Sequence, residues 1–423
     1  MTGHEAFGPA AWNMSGVCLF LGLSDSRIEM RTVISDGRVI TPSGVFLGYV
    51  VLEDGRISEI GRGNAPSGNF DERIDAEGDY VSPGFIDMHT HGAGGADFMD
   101  GTVDAYLAAA RMHAIHGTTL LYPTTATSSK ELLFESLDTY RKASAADSDG
   151  AAFGGMHLEG PYFSPRYAGA QDPRYLKHPV PEEYEDIIAR GRGIIKRWSF
   201  APELEGAPAF AAALKKNGIL ASVGHTSATF EQCHEAFLSG ATHMTHFFCC
   251  MSTVTRKDGY RTAGVMEYGY YQDGMTVEII ADGCHIPESL LKMIVRIKGV
   301  DRVALVTDSM RGAGMPEGVS ILGGLSDGRE VIIEDGVAKM PDRSCFAGSV
   351  ATTDRLVRTM VNIAGCSIED AVRMVSANPS RIMGIDGTKG TLELGKDADI
   401  VLFDDDICVK RTIINGKTMY QSR

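Results

Sequence analysis

The sequence predicts an α/β protein: a (β/α)8 TIM-like barrel with a small β-sandwich domain built from the N- and C-terminal segments. Three observations lead there. Eight strand-like runs alternate with helix-like stretches over roughly 300 residues, the span of such a barrel. Both ends of the chain carry short Val/Ile-rich runs broken by Asp-Gly and Asn-Gly turns. Polar residues of the middle stretch fall where the strand-like runs stop, which is where this fold keeps its chemistry.

Residues 1–30 read as an N-terminal extension. Their one apolar run, Ser15 to Leu23, follows Glu5 and no Lys or Arg, so it lacks the positive flank of a secretory signal. Residues 31–82 form the first part of the sandwich, with hairpin turns at Asp36-Gly37 and Asp54-Gly55, and residues 387–423 the second, with a turn at Asn415-Gly416. The barrel takes residues 83–386. Its strands are GFIDMHTH from Gly84, TTLLYPTT from Thr118, FGGMHLEG from Phe153, IKRWSFAPE from Ile195, ILASVGH from Ile219, ATHMTHFF from Ala241, MTVEIIADGCH from Met275 and RVALVTD from Arg302. Stretches such as DAYLAAARMHAIHG, SATFEQCHEAFLSG and PESLLKMIVRIKG have helical spacing, with Asp, Ser or Pro at the start and Gly at the end. An open doubly wound sheet is the alternative, but no G-x-G-x-x-G or Walker-type loop supports a nucleotide version of it.

Composition narrows the function. Of 423 residues, 43% are hydrophobic and 22% charged, which excludes disordered, collagenous and coiled-coil classes. Forty Lys+Arg against 55 Asp+Glu give a net charge of −15, so no nucleic-acid or membrane partner is expected and a small-molecule substrate is. No apolar run approaches the roughly 20 residues of a spanning helix. Eight cysteines without a Cys-x-x-Cys pair predict reduced thiols and a cytoplasmic setting.

The strand ends carry the chemistry. His89 and His91 close the first strand on one face, with Thr90 on the other. Glu159 closes the third strand, His225 the fifth, His246 the sixth, His285 the seventh and Asp308 the eighth. Imidazole and carboxylate together are the ligand set of a Zn or Fe(II) site that keeps a position open for water. His157 reads as a supporting hydrogen-bond partner, and His243, with His113 and His116 in a helix, as supporting or surface residues. Taken alone, Glu159 before Gly160-Pro161 could cap a turn. Cys249 and Cys250 could be soft ligands or a nucleophile, but the His/carboxylate set already completes a site, and a nucleophile would need its own base.

Together HTHG at His89, HLEGPYFSP at His157, GHTSAT at Gly224, ATHMTHFFCCMS at Ala241, ADGCHIP at Ala281, LVTDSM at Leu305 and FAGS at Phe346 resemble the N-acetylglucosamine-6-phosphate deacetylases of the amidohydrolase superfamily. The resemblance runs from about Arg31 to Lys417. It implies metal-dependent hydrolysis of the acetamide of N-acetyl-D-glucosamine 6-phosphate. The metal, Zn or Fe(II), would be held by Glu159, His225 and His246, with a second ion open at His89 and His91. Asp308 would be the general base and acid, and His285 would contact the substrate and the developing oxyanion or the sugar phosphate. Phe346, Ala347 and Gly348 would line the substrate. The phosphate end departs from the family, since its usual Asn-Ala is Cys249-Cys250 here. The family's phosphate-binding Arg, which comes from a neighbouring subunit and implies a homodimer, corresponds to Arg256 or Lys257, with Arg261 a weaker choice.

Three rivals remain at this stage. One is the same reaction on N-acetylgalactosamine 6-phosphate, an unphosphorylated acetamido sugar or an acyl amino acid. Another is a hydantoinase-like site, which would want a Lys at the end of the fourth strand, whereas Lys196 stands at its beginning. The last is a non-catalytic sugar-phosphate sensor.

Overall fold

All eight runs form strands, because apolar, β-branched stretches between helices bury both faces in a parallel sheet. The computed structural model describes residues 30–422; the expected extension, apart from Met30, lies outside the described residues. The barrel strands are Phe85–Thr90, Thr118–Thr125, Met156–Glu159, Ile195–Phe200, Leu220–Val223, Ala241–Met244, Thr276–Ile280 and Val303–Val306. They pair in chain order. The eighth returns to the first, where the Asp308 amide donates to the His89 carbonyl at 2.8 Å and Thr90 bridges to Ser309. That closure removes the open-sheet alternative. No helix among the described residues is long and apolar enough to cross a membrane.

Helix starts follow the local chemistry. The Thr102 hydroxyl accepts from the Ala105 amide at 3.2 Å to open Val103–Ile115, and Thr229 with Gln232 forms a capping box at Phe230–Ser239. Glu288–Lys298 stops at Gly299, whose φ of +80° is one that glycine adopts without steric cost.

The two ends of the chain share one eight-stranded sheet, joined where Tyr80–Pro83 runs antiparallel to Ile400–Phe403. This sheet curls back on itself: the Ile57 amide donates to the Lys396 carbonyl at 2.9 Å, and the Ala398 amide to the Gly55 carbonyl at 2.8 Å. Ile34, Val50, Ile57, Val81, Ile400 and Ile413 fill its interior as one apolar cluster. The small β domain expected of the two termini is thus built from a sheet folded over its own apolar core.

Between the eighth barrel strand and helix Thr353–Asn362 lies an antiparallel insertion, Gly318–Leu322, Arg329–Glu334 and Val337–Lys339. It has its own apolar cluster around Met310, Val331, Ile333 and Met340, and it carries Leu322, Cys345 and Phe346 to the barrel mouth.

The barrel centre holds a charge pair. Arg197 of the fourth strand and Glu278 of the seventh are both fully buried. Arg197 meets Glu278 in bidentate fashion, Nη2 to Oε1 at 2.8 Å and Nη1 to Oε2 at 2.5 Å. Its remaining donors reach Thr245 Oγ1 at 3.0 Å, the Met88 carbonyl at 3.2 Å and Ser222 Oγ at 3.2 Å, so the guanidinium is fully satisfied. Removing one partner of such a pair strands the other charge, so Arg197→Met is expected to lose about 3–5 kcal/mol of unfolding free energy in denaturant titrations.

Candidate active site

The strand-end residues reach one point by unusual backbone. Pairing of the first and second barrel strands slips between Asp87 and Thr90; beyond the slip His89 and His91 point into the barrel, while Thr90 turns out to His113 Nε2 at 2.9 Å. His225, His246 and Asp308 have φ of +48°, +32° and +46°, a region that residues with a side chain seldom occupy. Each is pinned by hydrogen bonds on its main chain. The His225 carbonyl accepts from the Ser164 amide at 2.9 Å, the His246 amide donates to Glu278 Oε1 at 3.1 Å, and the Asp308 carbonyl accepts from the Ser349 amide at 2.7 Å. Strain of this kind persists where the surroundings over-determine it, as at a site that must aim side chains.

Glu159 stands at the centre. Its Oε1 lies 3.1 Å from both His225 Nε2 and His246 Nε2, which are 3.0 Å apart. Its Oε2 lies 3.2 Å from His91 Nε2. Asp308 Oδ1 is 3.2 Å from His91 Nε2 and 3.3 Å from His89 Nε2. Two groups therefore have the spacing of a metal site, His89-His91-Glu159 and Glu159-His225-His246, and both use Glu159. A tetrahedral ion with bonds of about 2.0–2.1 Å sets its ligand atoms about 3.3 Å apart, close to these separations.

The protonation of the cluster points the same way. Burial opposes ionisation of Glu159, but His89 beside it and hydrogen bonds from His225 and His246 hold its carboxyl well below the usual range. Burial alone would lower His89, yet Asp308, Glu159 and Glu278 push it up to about 9. His91 is also raised despite its burial, by hydrogen bonds to Asp308 and Glu159. The carboxylates thus gather positive charge on the imidazoles, the charge a divalent cation replaces when protons leave. One orphaned atom fits this reading: buried His89 Nε2 has no hydrogen-bond partner although it faces both carboxylates.

Residues behind these groups fix their aim. His89 Nδ1 meets Glu278 Oε1 at 2.8 Å and His225 Nδ1 meets the Tyr167 carbonyl at 2.9 Å, which leaves both Nε2 atoms for the centre. Gln171 Nε2 donates to Glu159 Oε2 at 2.7 Å while its Oε1 accepts from the Thr127 amide at 2.7 Å. His157 is held by Ser199 Oγ at 2.7 Å, and His243 by Thr276 Oγ1 at 2.8 Å. His113 is buried and reaches Thr90, whereas His116 Nδ1 lies 3.2 Å from Asp354 on helix Thr353–Asn362, away from the centre. Beneath Asp308, the Thr307 hydroxyl donates to buried Asp87 at 2.5 Å and lies 3.1 Å from Ser309 Oγ, tying the first strand to the eighth. Sequence reading missed Glu278, Arg197, Gln171 and Asp87. Only Asp87 carried a signal, as a carboxylate in an otherwise apolar strand two residues before His89.

A cavity of about 280 Å³ opens over this centre. Cys249, Cys250, His285, Phe346 and Gly348 line it, while Ala347 is buried behind the wall with its amide bonded to the Ala338 carbonyl at 3.0 Å. His285 Nδ1 meets Asp282 Oδ2 at 2.8 Å, and its ring packs 4.7 Å from Phe346. No Lys or Arg among the described side chains lines the cavity. Arg256 and Lys257 stand instead on a hairpin, Thr255–Lys257 with Tyr260–Thr262, where Arg256 and Arg261 pair across the strands and are exposed.

Known proteins match this arrangement over almost the whole chain. Residues 80–419 match the model of the Amidohydrolase family. The chain is 33% identical over 399 residues to the N-acetylglucosamine-6-phosphate deacetylase of Bacillus subtilis (strain 168), covering 92% of this chain and 98% of that protein. It is 31% identical over 341 residues to the N-acetylgalactosamine-6-phosphate deacetylase of Escherichia coli O157:H7, covering 81% and 88%. A mutant N-acetyl-D-glucosamine-6-phosphate deacetylase from Mycobacterium smegmatis, solved in complex with N-acetyl-D-glucosamine-6-phosphate, superposes with a TM-score of 0.83 at 31% identity over 93% of this chain and all of that one. With matches of this extent and a His/carboxylate centre at its strand ends, the chain belongs to the amidohydrolase family.

Proposed function

We propose that this chain hydrolyses the acetamide of N-acetyl-D-glucosamine 6-phosphate to D-glucosamine 6-phosphate and acetate. The observation that carries the reading is the convergence of Asp308 and two metal-competent groups on Glu159 at the floor of one cavity. The match to deacetylases over nine-tenths of the chain supports the choice of substrate.

Glu159, His225 and His246 would hold a divalent cation, Zn or Fe(II), and His89 with His91 a second. A cation bound there supplies Lewis-acid polarisation of the acetamide carbonyl and a water whose pKa falls towards about 7. Asp308 takes the proton of the attacking water and returns it to the amine nitrogen as the C–N bond breaks. Burial works against the charge this requires, but His89 and His91 keep the Asp308 carboxyl below its ordinary value, so it enters the reaction ionised. His285, oriented through Nδ1 by Asp282, presents Nε2 to the substrate oxygen. Phe346 and Gly348 form the wall beside it.

Phosphate recognition needs positive charge that the described lining side chains lack. Arg256 or Lys257, on the hairpin, supplies it across a homodimer, and the backbone amide of Cys250 serves in place of the family's Asn, the Cys249 amide being bonded to the His246 carbonyl at 2.8 Å. The barrel, residues 83–386, and the terminal unit, residues 31–82 with 387–423, act as two domains of one cytoplasmic enzyme. A second reading, the galactosamine epimer as substrate, is favoured by the Escherichia coli relative and by the substitution at Cys249-Cys250.

Two experiments test these assignments. Glu159→Gln is expected to lose bound metal and turnover together, and Asp308→Asn to retain metal while turnover falls at least about 100-fold, checked by elemental analysis and acetate release. Full activity in either variant contradicts the assignment. Arg256→Ala with Lys257→Ala is expected to raise KM for the phosphorylated sugar by about 10–100-fold, the worth of one charge-assisted hydrogen bond, with kcat little changed.

A further inference from the structure

Every hydrogen-bond partner of the Glu159 carboxylate but one is itself a candidate ligand. Oε1 faces His225 Nε2 and His246 Nε2, both at 3.1 Å, and Oε2 faces His91 Nε2 at 3.2 Å and Gln171 Nε2 at 2.7 Å. An imidazole nitrogen that turns its lone pair to a cation has no proton left to give to a carboxylate. With cations in both groups the histidines therefore stop donating, and Gln171 becomes the one side-chain donor to this carboxylate among the described residues. Its amide is set the right way round for this. Gln171 Oε1 accepts from the Thr127 amide at 2.7 Å, a partner that only an oxygen can satisfy, so the NH2 end is the one that faces Glu159. The side chain is buried, and its main chain is clamped from the antiparallel insertion: Arg329 Nη1, on strand Arg329–Glu334, donates to the Ala170 carbonyl at 3.1 Å and to the Gln171 carbonyl at 3.3 Å. Neither Gln171 nor Arg329 belongs to a metal-competent group.

We infer that Gln171 is a positioning residue that decides how many cations Glu159 holds. An ionised carboxylate has two oxygens and about four lone-pair sites, so it can give one oxygen to each of two cations or both oxygens to a single one. The Gln171 hydrogen bond fixes Oε2 on the His91 side, apart from the oxygen that faces His225 and His246, and so favours the shared arrangement. Without that bond the carboxylate is free to turn both oxygens to an ion at His225 and His246, and an ion at His89 and His91 loses a ligand. Arg329 acts one step further back, since it holds the loop from which the amide reaches in. The inference rests on the proposed reading of Glu159 as a shared metal ligand of a hydrolase, and the test separates the two.

Full-length parent and Gln171→Leu, stripped of metal, are titrated with Zn(II) against a chromophoric chelator, which gives the affinity of each binding step. The parent is expected to take two equivalents. Gln171→Leu is expected to keep the first step while the second weakens by about 10–100-fold, the usual effect of losing a partner behind a metal ligand. Electron paramagnetic resonance with two equivalents of Mn(II) gives an independent signature: a coupled pair in the parent and separate ions in the variant. Arg329→Ala, which leaves the side-chain amide in place and loosens only its loop, is expected to weaken the second step by a smaller factor. Equal weakening of both steps, an unchanged second step, or a parent that takes one equivalent only overturns the inference and leaves hydrolysis with one cation at Glu159, His225 and His246 standing. Where Gln171→Leu does not fold, an unshifted second step in Arg329→Ala overturns it as well. Selective loss of the second step in a protein that releases acetate from no acetamido sugar upholds the positioning role and overturns the functional reading instead.

Discussion

The site depends on the ion pair between Arg197 and Glu278 at the barrel centre. Without its guanidinium, Glu278 would be an unpaired charge beyond the reach of water, a cost no packing offsets. Paired, it becomes a fixed acceptor for the layer above. Its Oε1 takes both His89 Nδ1 and the His246 amide, so one carboxylate oxygen orients a residue from each metal-competent group. The fold therefore transmits the geometry of the fourth and seventh strands to ligands on the first and sixth.

Above that layer, Glu159 does for charge what Glu278 does for orientation. Each of its oxygens faces imidazoles, and Gln171 holds one oxygen in place. Two carboxylates, Glu159 and Asp308, stay ionised in a buried pocket only because several imidazoles stand within about 3 Å. A centre that binds protons this way in the absence of a cation is one that exchanges them for a divalent ion. The left-handed backbone at His225, His246 and Asp308 shows what this arrangement costs locally, and the main-chain hydrogen bonds around each residue show how the cost is met.

Much of this was legible in the sequence, for specific reasons. Parallel strands buried on both faces are apolar runs, so all eight barrel strands could be placed within a few residues. Strand-end His, Glu and Asp stood out because a barrel puts chemistry there. Arg197 and Glu278 did not stand out: 81 residues apart and each beside ordinary strand residues, they resemble solvent-facing charges until closure brings the fourth and seventh strands across from one another. Gln171 lies in a loop without periodic pattern, and the antiparallel insertion at 318–339 follows a glycine-rich stretch that reads as loop. The slip between Asp87 and Thr90 depends on pairing, which local sequence does not encode.

The most direct test of the account is acetate release from N-acetylglucosamine 6-phosphate and from N-acetylglucosamine, side by side, before and after chelation and re-addition of Zn or Fe(II). The account predicts release from the phosphorylated sugar that chelation abolishes and either ion restores, with the unphosphorylated sugar far slower. Release that survives complete removal of metal would contradict it, and so would release from neither sugar by the metal-loaded protein.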